Sequence, residues 1–462
     1  MSTRHPLIIN AFDLAAANHL SPGLWRDPDD RQGREYTSAV FWINLAKALD
    51  DAGFDALFLA DGYGVPSAYQ GSSDSALGSA VQTPRIDPVP IVSMLASHTR
   101  RLGFGVTVST TYTEPYATAR LLTSLDHLSG GRVGWNIVTS SSAAAASLFG
   151  LDEIPAHQSR YERAEEFVDV AYQLWEGSWQ DDALILDAEA DRYIDPSKIR
   201  PVEHAGEHFN VRGIFAAPPS PQVTPLLFQA GSSAAGLAFA GRHAEVIFLA
   251  GNSAKQIRDE REAILEQADA AGRRPSDLRF LSAITVVTGA TAAEAAEKFE
   301  RYRSLASFEG GLTLLSGWTG IDWSTYDLDA PIEYLPIETH KSMLKELAGH
   351  YGDRTWTLRE AAEYVALGGL RPVLTGDPVA VADQIEELVD ATGVDGFNLA
   401  NIVSPTSYLD FIEYIIPQLR RRGLFRPEGA TGTLRSQIFG TDRVPTRHPA
   451  ARYRRTLAGE VV

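Results

Sequence analysis

The run Gln229-Ala230-Gly231-Ser232-Ser233-Ala234-Ala235-Gly236 ends an apolar segment abruptly and starts a helix at once. A helix start carries backbone N–H groups that the helix itself cannot satisfy, so Gly-Ser-Ser at that point aims donors and two hydroxyls at one spot, which suits an anion such as a phosphate. Ser232 or Ser233 could equally serve as an ordinary cap that accepts from the first turn. Tyr161, in RYERAEEF near the start of another helix, could bring its phenol to the same anion. Further polar residues follow apolar runs: Phe12 and Asp13, Asp61 and Tyr63, Thr107, Asn136 with Thr139 and Ser140, Asn252, and Asn398 with Asn401. Such groups hydrogen-bond a large polar heterocycle. They contain no carboxylate pair in a readable glycosidase pattern and no HExxH metal motif.

Two kinds of side chain need weighing both ways. His19 sits in a polar loop among aromatic residues, where it could exchange protons or simply bond to backbone. His127 closes a helix and reads as a structural partner of its dipole, as does His98. Among the aromatics, Phe41 and Trp42 fit a helix core, which leaves Trp25 and Tyr63 to wall a pocket.

The elements that would position these residues alternate along the chain. Apolar runs at 7–12, 55–61, 102–108, 132–138, 225–230, 244–250, 280–287 and 395–401 read as strands. Amphipathic helices at 37–52, 88–100, 116–128, 160–175, 253–271 and 378–392 lie among them. In the helix over 160–175, Ala164, Phe167, Val168, Ala171, Leu174 and Trp175 fall on one stripe that can cover a sheet. The rhythm predicts an α/β (β/α)8 TIM barrel, with its site at the carboxyl ends of the strands. It breaks twice, at about 177–224 between the fourth and fifth strands and at about 305–374 between the seventh and eighth. Residues 1–427 are expected to form one barrel domain with these two insertions. The first holds a small hairpin, and residues 428–462 form an arm on the barrel or on a neighbouring subunit.

Composition limits the partners. The 462 residues are 44% hydrophobic and 22% charged, enough to bury a large core. A formal charge of −18 argues against a nucleic acid or an anionic membrane as partner. With no cysteine, disulfides, thiolate metal sites and cysteine nucleophiles are excluded. The opening residues lack a signal-peptide core and no long apolar run follows, so a cytoplasmic location is expected.

Several stretches carry a more specific signal: INAFD, NHLSPGLWRDP, ALDDAGFDALFLAD, GFGVTVSTTY with EPY, LDHLSGGRVGWNIVTS, RYERAEEF, LWEGSWQDDA, SPQVTPLLFQAGSS and SGWTGID. In these the chain resembles the luciferase-like, FMN-dependent monooxygenases, in the branch of the nitrilotriacetate, dimethyl sulfide and dibenzothiophene sulfone enzymes. The resemblance implies a two-component monooxygenase that takes FMNH2 from a separate NAD(P)H-dependent flavin reductase. It would react with O2 through a C4a-peroxyflavin and oxidise a small organic or heteroaromatic substrate, riboflavin among the options, with cleavage of a C–N or C–S bond. It implies no metal, and a homodimer or homotetramer. Carried over by position, Asp61, Thr107 and Asn136 would line the flavin, and Tyr161, Ser232 and Ser233 would hold its phosphate. His19, Tyr63 and Ser140 would stand at the reacting centre, and Phe12 and Trp25 on the substrate side. The long-chain alkane enzymes carry a histidine at the position of Ser140, and a serine cannot replace it as a base near neutral pH. Two other readings stay open: a deazaflavin-dependent hydride-transfer enzyme, and a flavin-binding protein without turnover.

Overall fold

The computed structural model describes residues 5–332, 356–426 and 431–454. Eight parallel strands close on themselves: β1 (Ile8–Leu14), β2 (Ala56–Ala60), β3 (Gly103–Ser109), β4 (Val133–Val138), β9 (Leu226–Gln229), β10 (Val246–Phe248), β11 (Arg279–Thr288) and β13 (Gly396–Ala400). The fold is the expected α/β barrel. Strands β5 to β8 form two exposed hairpins in the first insertion, Leu184–Asp187 with Arg192–Ile194 and Val202–Ala205 with Asn210–Gly213, where one was expected. Strand β12 (Val373–Gly376) was also unforeseen. It pairs with the carboxyl end of β11, Thr285–Thr288, along the edge of β11 opposite β13, beyond the residues Arg279–Leu281 that pair with β10. Of the second insertion, residues 333–355 lie outside the described residues.

Helices form where caps and apolar stripes agree. Pro88–Ala96 and Pro378–Thr392 each begin with proline behind an aspartate, Asp87 or Asp377, whose carboxylate accepts from the first turn. Ala39–Ala52 ends on Gly53 at φ +91°, a left-handed residue that lets the chain turn back into β2. The helix His157–Tyr172 and the π-helical turn Gln173–Gly177 bury the whole predicted stripe from Ala164 to Trp175 against the outside of the sheet.

Inside the barrel, residue size alternates so that three phenylalanines fit. Phe58, Phe228 and Phe248 pack edge-on or stacked, with ring centroids 4.6 to 5.6 Å apart. Gly105 and Gly134 make room for them, since a Cβ there would come within 2.2 Å of Phe58 and 2.3 Å of Phe228. Below this layer the amino-terminal mouth is plugged by the chain's own tail. Leu434, on the helix Leu434–Phe439, packs with Ile8, Leu226, Val246 and Leu281, and Gly103 leaves space for it. The described part of the arm, residues 431–454, thus lies beneath the barrel.

Candidate functional site

Register decides which residues crown the aromatic layer. Asn136 stands opposite Phe228 and Thr107 opposite Asn136, so both point inward, as does Phe12 beside Phe58. Thr107 donates its hydroxyl to the Leu59 carbonyl at 2.9 Å, which leaves its oxygen to accept from Asn136 Nδ2 at 2.9 Å. That fixes Asn136 with its other atom, Oδ1, buried and without a partner. A buried acceptor left unsatisfied costs about 1–3 kcal/mol, so it marks a place where a donor belongs.

On the neighbouring strand, β9 ends at Gln229 and the helix Ala234–His243 begins with Ser233 as its cap, the Ser233 oxygen accepting from Gly236 N–H at 3.1 Å. The capping role of Ser233 is therefore real, while Ser232 is exposed beside it. The Tyr161 hydroxyl sits over this turn. A Cβ on Gly231 or Gly236 would come within 2.9 or 2.8 Å of it, so the two glycines let the phenol approach the helix start closely. Gln229 Oε1 is also buried without a partner. Arg160 contributes a further cation, with Nε buried and unpaired and its pKa lowered by burial.

The remaining predicted residues follow β1, β2 and β4 in the chain. His19 is buried edge-on against Phe12, with centroids 4.5 Å apart, and its Nδ1 has no partner. Burial pushes its pKa down to about 3, a hydrogen bond to the Phe12 backbone opposing the shift, so the ring is neutral at ordinary pH. Asp61, at the end of β2, is raised to about 6 by burial, against the Gly62 N–H and Arg85. Tyr63 lies edge-on to Tyr112 at 5.8 Å and to Phe149 at 5.0 Å, and those two rings stack at 4.5 Å. Burial raises the Tyr63 phenol above its ordinary pKa. Ser140, left-handed at φ +28°, donates to Ser109 Oγ at 2.9 Å. Trp25 stands apart on the outer side of the first loop, 37% exposed, with its Cβ against Gly33.

Sequence reasoning missed Tyr112 and Phe149, which complete the aromatic wall. It also missed Thr285, whose inward hydroxyl is buried without a partner under the left-handed Gly368. Tyr112 adjoins the recognisable STT run, but no local signal brings Phe149 back to it. The three arginines of the first loop turn to backbone or to a neighbour: Arg26 to Gly23 and Leu305 carbonyls, Arg31 to Glu35, Arg34 to the Asp30 carbonyl. His127 meets the Pro218 carbonyl and His98 that of Met94, which are structural roles. No group of acids and histidines among the described residues could hold a metal ion, and no described helix is long and apolar enough to cross a membrane.

A closed parallel barrel with buried, unpartnered acceptors and a strand-to-helix Gly-Ser-Ser turn at its carboxyl mouth has the architecture whose ligands bind at that mouth. The match to the family model of luciferase-like monooxygenases spans residues 26–396, and the chain belongs to that family. It is an oxidoreductase. It is 42% identical over 456 residues to the dimethyl-sulfide monooxygenase of Hyphomicrobium sulfonivorans, covering 98% of this chain and 95% of that one. The crystal structure of that enzyme superposes with a TM-score of 0.93, over 99% of this chain and 98% of its own. The long-chain alkane monooxygenase of Geobacillus thermodenitrificans is 40% identical, with 96% and 97% covered. A riboflavin lyase, solved with modified FMN and substrate riboflavin, is 36% identical, with a TM-score of 0.90 and coverage of 98% and 100%.

Proposed function

We propose that this chain binds reduced FMN at the carboxyl mouth of the barrel and uses O2 to oxidise a small organic substrate, with a separate NAD(P)H-dependent flavin reductase supplying the FMNH2. The reading is carried by the buried, unpartnered Oδ1 of Asn136 on β4 and, at the end of the neighbouring β9, the Gly-Ser-Ser turn over which the Tyr161 hydroxyl sits. One end asks for a donor on a flat ring system, the other accepts an anion. Bound reduced flavin supplies the two electrons that activate oxygen. Asn136 and Thr107 hold the ring edge, and Asp61 accepts from a hydroxyl or ring N–H. Tyr161, Ser232 and the free N–H groups ahead of Ser233 hold the phosphate. Tyr63, Tyr112 and Phe149 keep water away from the reacting region, which directs oxygen to the substrate and limits its loss as hydrogen peroxide.

The side chains also bear on the substrate. An aminopolycarboxylate would need free cations, and Arg26, Arg31 and Arg34 are already engaged. The Tyr63–Tyr112–Phe149 wall favours a sulfur compound or a flat heteroaromatic, and the similarity to a riboflavin lyase brings riboflavin into the range. The need for a reductase is supported by a relative, 36% identical, named as component A of nitrilotriacetate monooxygenase.

The test is anaerobic titration with FMNH2, followed by turnover with a flavin reductase, NADH and 18O2 against dimethyl sulfide, dibenzothiophene sulfone, nitrilotriacetate and riboflavin. One 18O atom in one product is expected. No FMNH2 binding, or NADH converted wholly to hydrogen peroxide with every substrate, would sink the proposal. Substrate oxidation without 18O would instead indicate hydride transfer.

A further inference from the structure

Past the carboxyl end of β1 the chain runs beside a second segment, and that pairing carries one arginine to the mouth of the barrel. Ala16 bridges Arg85 in antiparallel fashion, Ile86 N–H donates to the Ala15 carbonyl at 2.8 Å, and Ala17 N–H donates to the Pro84 carbonyl at 2.9 Å. The arginine also lies against the turn that follows β2. A Cβ on Gly62 would come within 3.7 Å of Arg85 Nη1, and Nη2 donates to the Gly64 carbonyl. Tyr63 stands between these two glycines, so the guanidinium adjoins the turn that carries the first ring of the Tyr63–Tyr112–Phe149 wall.

Bracing that turn uses only part of the donor fork of a guanidinium. Nε and Nη1 make no hydrogen bond among the described residues and are not sealed from solvent, and no described carboxylate is within ion-pair distance. Asp61 acts on the cation only from further away, and partial burial pulls the Arg85 pKa down. The arginines of the first loop differ, since Arg26, Arg31 and Arg34 turn to a carbonyl or to a neighbouring carboxylate. A half-buried guanidinium with idle donors gains most from a charged, planar acceptor. Hydrogen bonds to ionised partners are about twice as strong as neutral ones, and the fork matches the paired oxygens of a carboxylate.

Resting on the reading that a small organic substrate is oxidised at this mouth, we infer that Arg85 is a specificity-determining residue: it binds a single anionic oxygen group, a carboxylate or sulfonate, on a substrate whose flat or apolar body lies against Tyr63, Tyr112 and Phe149. One cation serves one anionic group. A polycarboxylate would leave its remaining charges desolvated and without partners, whereas a thioether acid or heteroaromatic acid is matched at both ends.

The probes are phenylthioacetate and methyl phenyl sulfide, which share the ring and the sulfur and differ in the carboxylate. Binding of each to the full chain is measured by anaerobic equilibrium dialysis, with FMNH2 and without flavin. The wild-type chain should prefer phenylthioacetate about ten-fold, and the preference should shrink as salt rises. Arg85→Gln should bind both probes alike, at the affinity of methyl phenyl sulfide, and Arg85→Lys should keep a reduced preference. A melting curve accompanies each variant, and if Arg85→Gln does not fold, the salt series and Arg85→Lys carry the test. No preference in the wild type, a preference indifferent to salt, or one that survives Arg85→Gln overturns the inference. So does a fall in FMNH2 affinity in Arg85→Gln with the preference intact, which would give the cation to the cofactor. Absence of FMNH2 binding in the wild type sinks instead the flavin reading of the mouth, while the preference is still read without flavin, so the two failures are distinguishable.

Discussion

At the amino-terminal mouth of the barrel the buried charges meet opposite charges, whereas at the carboxyl mouth several buried acceptors have no partner. Below, the Arg435 guanidinium, wholly buried, meets both oxygens of Glu245 at 2.7 and 2.8 Å and also donates to the Pro225 and Asp442 carbonyls. Glu176 receives Arg454 at 3.0 Å, and Arg426 reaches Asp55. Above, Asn136 Oδ1, His19 Nδ1, Gln229 Oε1 and Thr285 Oγ1 have no partner. The two ends are built from one sheet, so strand geometry does not explain the contrast. One end has a permanent occupant, the chain's own tail. The other, on the proposed function, keeps its unpartnered acceptors for a bound ligand.

The sharpest way to break that comparison is to remove the occupant's main contact. Arg435→Met leaves Glu245 charged and buried with nothing opposite, and should cost about 3–5 kcal/mol in chemical denaturation. FMNH2 affinity of the folded fraction should not change. If stability holds and affinity falls, the floor is part of the site and the division fails. Leu434→Ala is the apolar version. It removes the plug from the ring of Ile8, Leu226, Val246 and Leu281, and should cost about 2–4 kcal/mol by the same measurement, again without touching affinity.

This division also marks what could be read from the sequence. The barrel strands were legible because each is a short apolar run between amphipathic helices, and buried parallel strands need that composition. The strand-to-helix turn proposed to hold the anion was legible for a local reason: a glycine-serine turn between strand and helix shows in consecutive letters. The floor was not. Leu434, Arg435, Ile438 and Phe439 make sense only against Glu245 and Ile8, some two hundred and four hundred residues away. Tyr112 and Phe149 form a wall through a loop closure that no periodicity records. Strand β12 was hidden because only its four residues pair, along the overhanging end of β11. Trp25, an aromatic among suggestive neighbours, is 37% exposed with its Cβ against Gly33.

At the upper mouth the prediction has the opposite form. Asn136→Ala removes an oxygen that has no partner together with one buried hydrogen bond to Thr107, so the free protein should lose only about 1 kcal/mol in chemical denaturation. FMNH2 affinity should fall about ten-fold, the worth of one well-placed hydrogen bond. Tyr161→Phe should act alike through the phosphate. Large destabilisation with unchanged affinity in either variant would make the mouth ordinary core.

The smallest expected effect concerns Asp61, whose folded-state pKa of about 6 lies above its ordinary 3.8. The folded chain therefore holds this proton more tightly than the unfolded chain does, so the group favours folding at low pH. That contribution is lost as pH rises from about 4 through about 6. Above that window the carboxylate is charged and partly buried, with only the Gly62 N–H and the more distant Arg85 to offset it, and a donor on a bound ligand would do so further. Asp61→Asn should flatten the stability curve between pH 4 and 6 relative to the parent. Asp30, which titrates near 6 elsewhere, contributes equally to both and cancels in the difference. In the parent, FMNH2 affinity should rise through the same window as the stronger acceptor forms, and in the variant it should not. An identical slope in the two proteins would show that Asp61 is already satisfied without a ligand, and the rim would lose one of the groups that distinguish it from the floor.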